Sequence, residues 1–230
     1  VACAAANACG KPLYQYLNAD ARVLPVPQAC LLNGGVHAGN DLDIQEFCVM
    51  PTGARTFAES VQILCETFYS LKDILADRLG KSATNSGEDG GFAPPISSTR
   101  QAMDLLCEAT QHAGFTDKVV YGLDFAASGY YQPENGTYAF EGSQKPQDEM
   151  IAFIEELLAE YPSIVSIEDP LDENDLEGMQ ILTDAFRNHL VIGDDMFATN
   201  IKRIQKGLAQ GAANATLCKV NQIGTLTEAS

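Results

Sequence analysis

The sequence has 230 residues, of which 46% are hydrophobic, and its formal net charge is −17. This acidic excess argues against proteins that bind nucleic acid or anionic membranes, although a small anionic substrate could still bind beside a cation. Its apolar runs are too short to span a bilayer, and seven scattered cysteines without a Cys-x-x-Cys motif predict reduced thiols in a cytoplasmic protein, not a disulfide framework or zinc site.

The first half of the chain predicts two strands followed by two helices. The strands are RVLPVPQACLL and DLDIQEFCVM, and the first helix spans residues 56–79, with Thr56 and Glu59 as a capping box and Gly80 just after its end. A second helix is predicted over 98–113. The apolar stripe expected on the first helix is Phe57, Val61, Leu64, Phe68, Leu71, Leu75 and Leu79.

The second half alternates short apolar runs with amphipathic segments. KVVYGLD, SIVSIED, HLVIGDD and ATLCKV are typical of buried strands, and helices are predicted over 147–161, 172–187 and 199–210. An Asn-Gly turn in SGYYQPENGTYAFEG predicts a hairpin-like excursion. The alternation predicts an α/β fold with parallel strands, either a β/α barrel or a doubly wound sheet.

The polar residues that end these strands favour the barrel. Asp124, Glu168, Asp194 and Lys219 each follow an apolar run, and the carboxyl ends of barrel strands share the face that carries active sites. Converging carboxylates need a cation, and oxygen ligands favour Mg²⁺ or Mn²⁺ over zinc. A lysine beside that cation is expected to have a lowered pKa and to act as a base.

A plainer interpretation competes at each position. One acidic residue after a strand is usually a helix N-cap or a solvated turn, and for Asp124 alone that interpretation is favoured. Four successive strand ends reading Asp, Glu, Asp and Lys are harder to explain in this way. The doublets Glu168-Asp169 and Asp194-Asp195 leave the ligand open, and we favour the first residue of each pair because the second falls one step into the loop.

Six motifs then identify a resemblance. LLNGGVHAGN, IQEFCVMPTGA, GGFAPP, SIEDP, GDD and KVNQIGTLTE resemble the enolase family, the phosphopyruvate hydratases of glycolysis, in order and in spacing. The resemblance implies an enolase-type β/α (TIM-like) barrel that is incomplete here. Residues 1–22 would end an N-terminal capping domain and 23–230 would supply about six of eight barrel strands. An isolated chain with open edges is expected to be inactive and poorly soluble.

The resemblance also implies a reaction and its residues. Enolases reversibly dehydrate 2-phosphoglycerate to phosphoenolpyruvate in the cytoplasm, generally as homodimers with two Mg²⁺ per active site. A Lys base removes a weakly acidic proton while metal stabilises the resulting charge, as is known for the enolase superfamily. Lys219 matches that base. Asp124, Glu168 and Asp194 match the ligands of the first Mg²⁺.

In the enolase family an acidic cluster assists departure of hydroxide, and the resemblance implies the same role for the matching residues here. The matching residues are Glu46 and Asp89, while Gln45 matches a substrate-contacting position and His37 matches a histidine on a mobile loop. Without the resemblance, Glu46 in the alternating DLDIQEF pattern would be interpreted as an outward-facing strand residue. His37 would be interpreted as an ordinary surface-loop histidine.

One departure from the family lies in NSGEDGGFAPP. Glu88 and Asp89 stand in the reverse of the usual order, so the acid at the second position is one methylene shorter. A displacement of about 1 Å can cost on the order of 100-fold in rate. Three explanations compete: a variant whose backbone compensates, an impaired paralogue, or a sequencing artefact. The alternative functions are an impaired paralogue with a binding or structural role and another enolase-superfamily lyase. Gly129 and Ile201 also depart from the family's usual Glu and Pro.

Overall fold

The computed structural model describes all residues 1–230 and contains nine strands in two sheets. The strands are β1 (Ala29–Asn33), β2 (Glu46–Met50), β3 (Val120–Asp124), β4 (Tyr131–Gln132), β5 (Thr137–Phe140), β6 (Ser143–Lys145), β7 (Ile164–Glu168), β8 (Leu190–Gly193) and β9 (Ala215–Thr216). The main sheet has the order β1-β2-β3-β7-β8-β9, and β4, β5 and β6 form the small one. The main sheet is open, with β1 and β9 as its edges, which agrees with an incomplete barrel.

Nine helices accompany the strands. They are α1 (Ala2–Ala8), α2 (Leu13–Leu17), α3 (Phe57–Leu79), α4 (Thr99–His112), α5 (Gln147–Glu160), α6 (Leu176–Ala185), α7 (Ile201–Gln210), α8 (Val220–Ile223) and α9 (Leu226–Ala229). No helix combines the length and apolarity that crossing a bilayer would require.

Strand direction changes along the main sheet. β2 is antiparallel to both β1 and β3, whereas β3, β7, β8 and β9 are mutually parallel. Parallel strands need crossover connections, and α5, α6 and α7 supply them, as the sequence pattern predicts. The helix pair α3 and α4 instead joins the antiparallel strands β2 and β3. The prediction of parallel strands, made for the second half of the chain, is confirmed, whereas the direction of β2 was not predicted.

The apolar core lies between the main sheet and its helices. Phe47, Leu71, Ile154 and Ile167 are fully buried members of one continuous cluster. Side chains on both faces of β2 and β7 are buried, as expected for strands that are covered on both faces. This core fixes the sheet whose polar edge is described below.

The long helix α3 begins and ends where the sequence predicts. The Thr56 hydroxyl accepts a hydrogen bond from the Glu59 N–H, and Gly80 follows the helix with φ of 86°. The predicted apolar stripe is partly wrong, because Phe57 and Val61 are 42% and 41% exposed. The buried face is rotated toward α4 and β2 and comprises Ser60, Ile63, Thr67, Leu71, Ile74 and Leu75.

The tyrosine-rich excursion is a hairpin, as predicted. Tyr131 pairs with Tyr138 across an antiparallel ladder, and Gly136 takes a φ of 67° in the connecting turn. A third strand, β6, extends the hairpin and was not expected. Tyr138 is buried, and its hydroxyl accepts a hydrogen bond from the Asp172 N–H, which anchors the small sheet to the main one.

Several predicted boundaries move. α6 begins at Leu176 because the Asp175 side chain caps it, and α7 begins at Ile201 because Asn200 accepts hydrogen bonds from the Lys202 and Arg203 N–H groups. β9 ends at Thr216. Lys219 therefore does not end a strand but immediately precedes the short helix α8.

Candidate active site

A row of polar residues crosses the main sheet at one end of its strands. Because β2 is antiparallel to its neighbours, its first residue lies where β1, β3 and β7 end. Asn33 consequently pairs with Glu46, Glu46 with Asp124, and Asp124 with Glu168. This register carries Glu46 to the site, and the outward-facing interpretation of that residue is wrong.

Three carboxylates cluster at the end of β3 and β7. Oxygen atoms of Asp124, Glu168 and Asp169 lie within 4.8 Å of one another, and the three residues are only 7%, 6% and 3% exposed. Burial, followed by mutual repulsion, raises the pKa of Glu168 to about 9, and burial raises that of Asp169 to about 7. Burial and the charge of Glu46 also raise the pKa of Asp124.

These residues fit a small hard cation. Asp169 Oδ1 is buried without any hydrogen-bond partner, and an unsatisfied acceptor of this kind is costly unless something positive or a donor reaches it. All the available ligand atoms are carboxylate oxygens, the type of ligand that Mg²⁺ prefers. A cation here would offset both the burial and the mutual repulsion that raise the pKa values, so Asp124 and Glu168 would hold it together with a third carboxylate.

The third predicted ligand, Asp194, lies beside this cluster and has its own partners. Its carboxylate accepts hydrogen bonds from Lys219 Nζ and, at 3.3 Å, from Gln222 Nε2. Asp169 Oδ2 accepts from the Asp194 and Asp195 N–H groups, at 3.1 and 2.6 Å. Asp169 therefore positions the loop that carries Asp194, a role that the sequence did not reveal.

Lys219 is held against the carboxylates by both its backbone and its side chain. Its N–H donates to Thr199 Oγ1 at 2.9 Å, and that hydroxyl donates to Gln222 Oε1 at 3.0 Å. The expectation of a lowered pKa concerns a lysine beside a bound cation and stays a prediction. Burial lowers the pKa of Lys219, but its hydrogen bond to Asp194 and the nearby negative charges outweigh burial and raise it.

A second group, which we call the acid cluster, consists of His37, Glu46 and Asp89 and faces the carboxylate cluster across β2. His37 Nδ1 lies 2.5 Å from Asp89 Oδ2 and 3.8 Å from Glu46 Oε1, and Asn33 Nδ2 donates to Asp89 Oδ2 at 3.0 Å. Burial, and then the neighbouring Asp89, raise the pKa of Glu46. The structure thus brings together three of the predicted residues and adds Asn33, whose role the sequence did not indicate.

The loop of Glu88 and Asp89 is fixed by close backbone contacts. The Glu88 N–H donates to the His37 carbonyl at 3.0 Å, while the Glu88 residue as a whole is exposed. A Cβ on Gly87 would lie 2.6 Å from that carbonyl, and one on Gly91 would lie 2.9 Å from Asn33 Oδ1. Glycine is required at both positions because the loop packs directly against β1.

Gln45 connects the two clusters. Its Nε2 donates to Asp124 Oδ2 at 3.0 Å, and its N–H donates to the Asp124 carbonyl at 3.0 Å. The Gln45 side chain is consequently held beside the carboxylate cluster while the next residue, Glu46, lies in the acid cluster. A ligand that contacts Gln45 would lie between the carboxylates and His37.

Comparison with known proteins agrees with this geometry. Residues 21–230 match the family model described as "Enolase, C-terminal TIM barrel domain". The chain belongs to the enolase family. It is 49% identical to the enolase of Methanococcus maripaludis strain C7 over 229 aligned residues. The alignment covers 99% of this chain and 54% of the relative. It is 47% identical over 233 residues to that of Thermococcus gammatolerans, with 100% and 54% coverage.

A third relative, the enolase of Methanocaldococcus jannaschii, is 47% identical over 230 residues. This chain spans about half the length of the curated relatives it matches, 53% in this case. Membership of the enolase family implies a metal cofactor, which the carboxylate cluster is suited to hold.

The two other departures from the enolase pattern lie outside both clusters. Ile201 is the first residue of α7 and is 59% exposed, so Asn200 caps the helix without help from a proline. A Cβ on Gly129 would meet nothing within 4 Å, so the position leaves open space and is not dictated by packing.

The raised carboxylate pKa values predict how stability depends on pH. The ordinary pKa of Glu168 is 4.5, so between that value and about 9 the folded protein retains a proton that the unfolded chain releases. Stability should fall as pH rises through this window, by up to about 1.4 kcal/mol per pH unit for one retained proton. Asp169 acts in the same direction up to about pH 7.

Thermal unfolding from pH 5 to pH 9, with a chelator and then with Mg²⁺, measures this effect. We expect Tm to fall with pH in chelator, Mg²⁺ to restore it most at high pH, and Glu168→Gln to flatten the decline. A Tm that stays constant or rises with pH in chelator would contradict the assignment.

Proposed function

We propose that the protein catalyses the reversible dehydration of 2-phosphoglycerate to phosphoenolpyruvate, the hydro-lyase step of glycolysis and gluconeogenesis. The observation that carries the proposal is the placement of two clusters on one sheet edge. Buried carboxylates with Lys219 lie on one side, and His37, Glu46 and Asp89 lie on the other. Abstraction of a proton and departure of hydroxide need such groups on either side of a substrate.

The carboxylate side would bind the cofactor. We propose that Asp124, Glu168 and Asp194 hold the first of two Mg²⁺ ions, with Asp169 positioning the Asp194 loop through its two backbone hydrogen bonds. Mg²⁺ bound there supplies the positive charge that offsets negative charge developing on the substrate carboxylate. Gln45 would orient the substrate from beside Asp124.

Lys219 is the proposed base. It would remove the proton on the carbon beside the substrate carboxylate, which requires a neutral amine. In the ion-free protein its pKa is raised, after the lowering effect of burial, by Asp194 and by the charges of Glu168 and Asp124. A cation held by the carboxylates would weaken this attraction and lower the pKa of Lys219, which would favour the neutral amine.

The opposite cluster is proposed to deliver a proton to the departing hydroxide. Partial burial and then the nearby Asp89 raise the pKa of Glu46, which favours its protonated form as a proton donor. His37 and Asn33 fix the Asp89 carboxylate by direct contact. The contact between Asp89 and His37 weighs against an impaired paralogue, because the shorter acid still reaches its partner.

The remaining assignments are also proposals. Residues 1–22 would end a capping domain and 23–230 would form part of the catalytic barrel. Exposed apolar side chains on α2, including Leu13, Tyr14 and Leu17, support packing against further protein. A homodimer and a cytoplasmic location are inferred from the family.

The test uses protein expressed from the complete gene, incubated with 2-phosphoglycerate and monitored by the ultraviolet absorbance of phosphoenolpyruvate. We expect turnover that depends on Mg²⁺ and is abolished by chelator. Glu168→Gln should be folded and inactive at ordinary Mg²⁺ concentrations. A folded wild-type protein without turnover at saturating Mg²⁺ would refute the proposed function.

A further inference from the structure

Two cysteines, Cys30 and Cys48, lie next to Glu46 of the acid cluster. Cys30 on β1 and Cys48 on β2 are opposite one another in the antiparallel ladder. Glu46 lies two positions before Cys48 and therefore on the same face of β2. The two Sγ atoms and a Glu46 carboxylate oxygen all lie within 4.8 Å of one another.

We propose that Cys30, Cys48 and Glu46 form a second metal site, selective for thiophilic divalent cations such as Zn²⁺ and Cd²⁺. Thiolate sulfur and carboxylate oxygen are both zinc ligands, and the two thiolates favour soft cations, whereas the site at Asp124 and Glu168 offers oxygen alone. The two sites should therefore discriminate between classes of cation by ligand chemistry.

The observed spacing is compatible with tetrahedral coordination. Cys48 Sγ lies 3.6 Å from Glu46 Oε2. Zinc–sulfur and zinc–oxygen bonds of about 2.3 and 2.1 Å at a tetrahedral angle place the two ligand atoms about 3.6 Å apart. Three protein ligands leave a fourth position for water, and each thiol releases its proton to solvent as the metal binds.

The three proposed ligands differ in exposure, so the site is buried on one side and accessible to solvent on the other. Cys48 is 2% exposed, whereas Cys30 is partly exposed and the Glu46 side chain is 24% exposed. A cation can therefore approach past Glu46 and become enclosed by the two strands. The cysteines are far apart in sequence, so their pairing depends on the β1–β2 register and not on a spacing motif.

Occupancy should disable the acid cluster, a consequence that depends on the proposed function. A metal bound to Glu46 Oε2, which faces Cys48, would fix the carboxylate whose other oxygen, Oε1, lies 3.8 Å from His37 Nδ1, and would prevent Glu46 from carrying a proton to the departing hydroxide. Thiophilic cations should therefore inhibit turnover even when Mg²⁺ saturates the carboxylate site.

Cadmium titration tests the site independently of activity. The protein is kept in saturating Mg²⁺ with a phosphine reductant, and the ultraviolet thiolate-to-cadmium charge-transfer absorption is recorded. We expect a saturable signal whose affinity falls at least about tenfold in Cys48→Ala and in Cys30→Ala. Cys65→Ala, which removes an exposed thiol on α3, is the matched control and should behave as wild type.

Circular dichroism confirms that each variant is folded, and the partly exposed Cys30 position decides the result if Cys48→Ala is unstable. Absence of the signal, or equal affinity in wild type and Cys30→Ala, overturns the site. Bound Cd²⁺ that leaves turnover unchanged overturns the inhibitory role. Failure of the proposed function would abolish turnover but not the spectral signal, so the two failures are distinguishable.

Discussion

Lys219→Ala is expected to lower kcat for dehydration of 2-phosphoglycerate by about 10²–10⁴-fold, the usual contribution of a general base. The lysine is held beside Asp194 by its Nζ and beside Thr199 by its N–H, so removing the side chain deletes the base and leaves the loop in place. The loss should fall mainly on kcat. Steady-state kinetics at saturating Mg²⁺ measure it.

Lys72→Ala is the matched control. Lys72 is an exposed residue of α3, so its removal deletes a lysine of the same charge away from the site. We expect its kcat to remain within experimental error of wild type. If Lys219→Ala retained more than about a tenth of wild-type kcat, the loss would be smaller than the least expected of a general base. The assignment would then be rejected.

Asp89→Asn is expected to reduce turnover by a similar order, about 10²–10⁴-fold, because it removes the carboxylate that contacts His37 and Asn33. The adjacent Glu88→Gln provides a control of equal size and charge change. Glu88 is exposed, and only its backbone N–H contacts the site, through the His37 carbonyl. Its substitution should alter kcat less than about threefold, a shift below 1 kcal/mol.

The pair also resolves the reversed order of these acids. If the shorter Asp89 is limiting, exchanging Glu88 and Asp89 should raise kcat, since a longer side chain reaches further into the site. The existing 2.5 Å contact between Asp89 and His37 indicates that the backbone already compensates in part. An unchanged or lower rate would refute the geometric limitation, and comparable losses in Asp89→Asn and Glu88→Gln would refute the assignment of Asp89.

The carboxylate site follows from sequence further than the acid cluster does. Asp124 and Glu168 end parallel strands, and parallel strand ends share an edge, so their proximity is predictable from periodicity alone. Glu46 is different, because its position depends on β2 running antiparallel to β3. The alternating DLDIQEF pattern does not contain that direction, and only the family resemblance placed the residue in the site.

Positioning residues were missed for a related reason. The sequence favours Glu168 over Asp169 as the ligand of that doublet, yet Asp169 Oδ2 accepts hydrogen bonds from the Asp194 and Asp195 N–H groups. Asn33 and Thr199 act through single contacts across the fold, to Asp89 and to the Lys219 N–H. Such contacts depend on three-dimensional register and leave no spacing pattern along one chain.

We propose that the two clusters divide the reaction, with Lys219 abstracting the proton and Asp89, together with Glu46 and His37, assisting departure of hydroxide. Exchange of the substrate α-hydrogen with deuterated water measures the first step without the second. With Mg²⁺ present, Asp89→Asn should still exchange this hydrogen while forming little phosphoenolpyruvate, whereas Lys219→Ala should do neither. Exchange at the wild-type rate in Lys219→Ala would contradict the account.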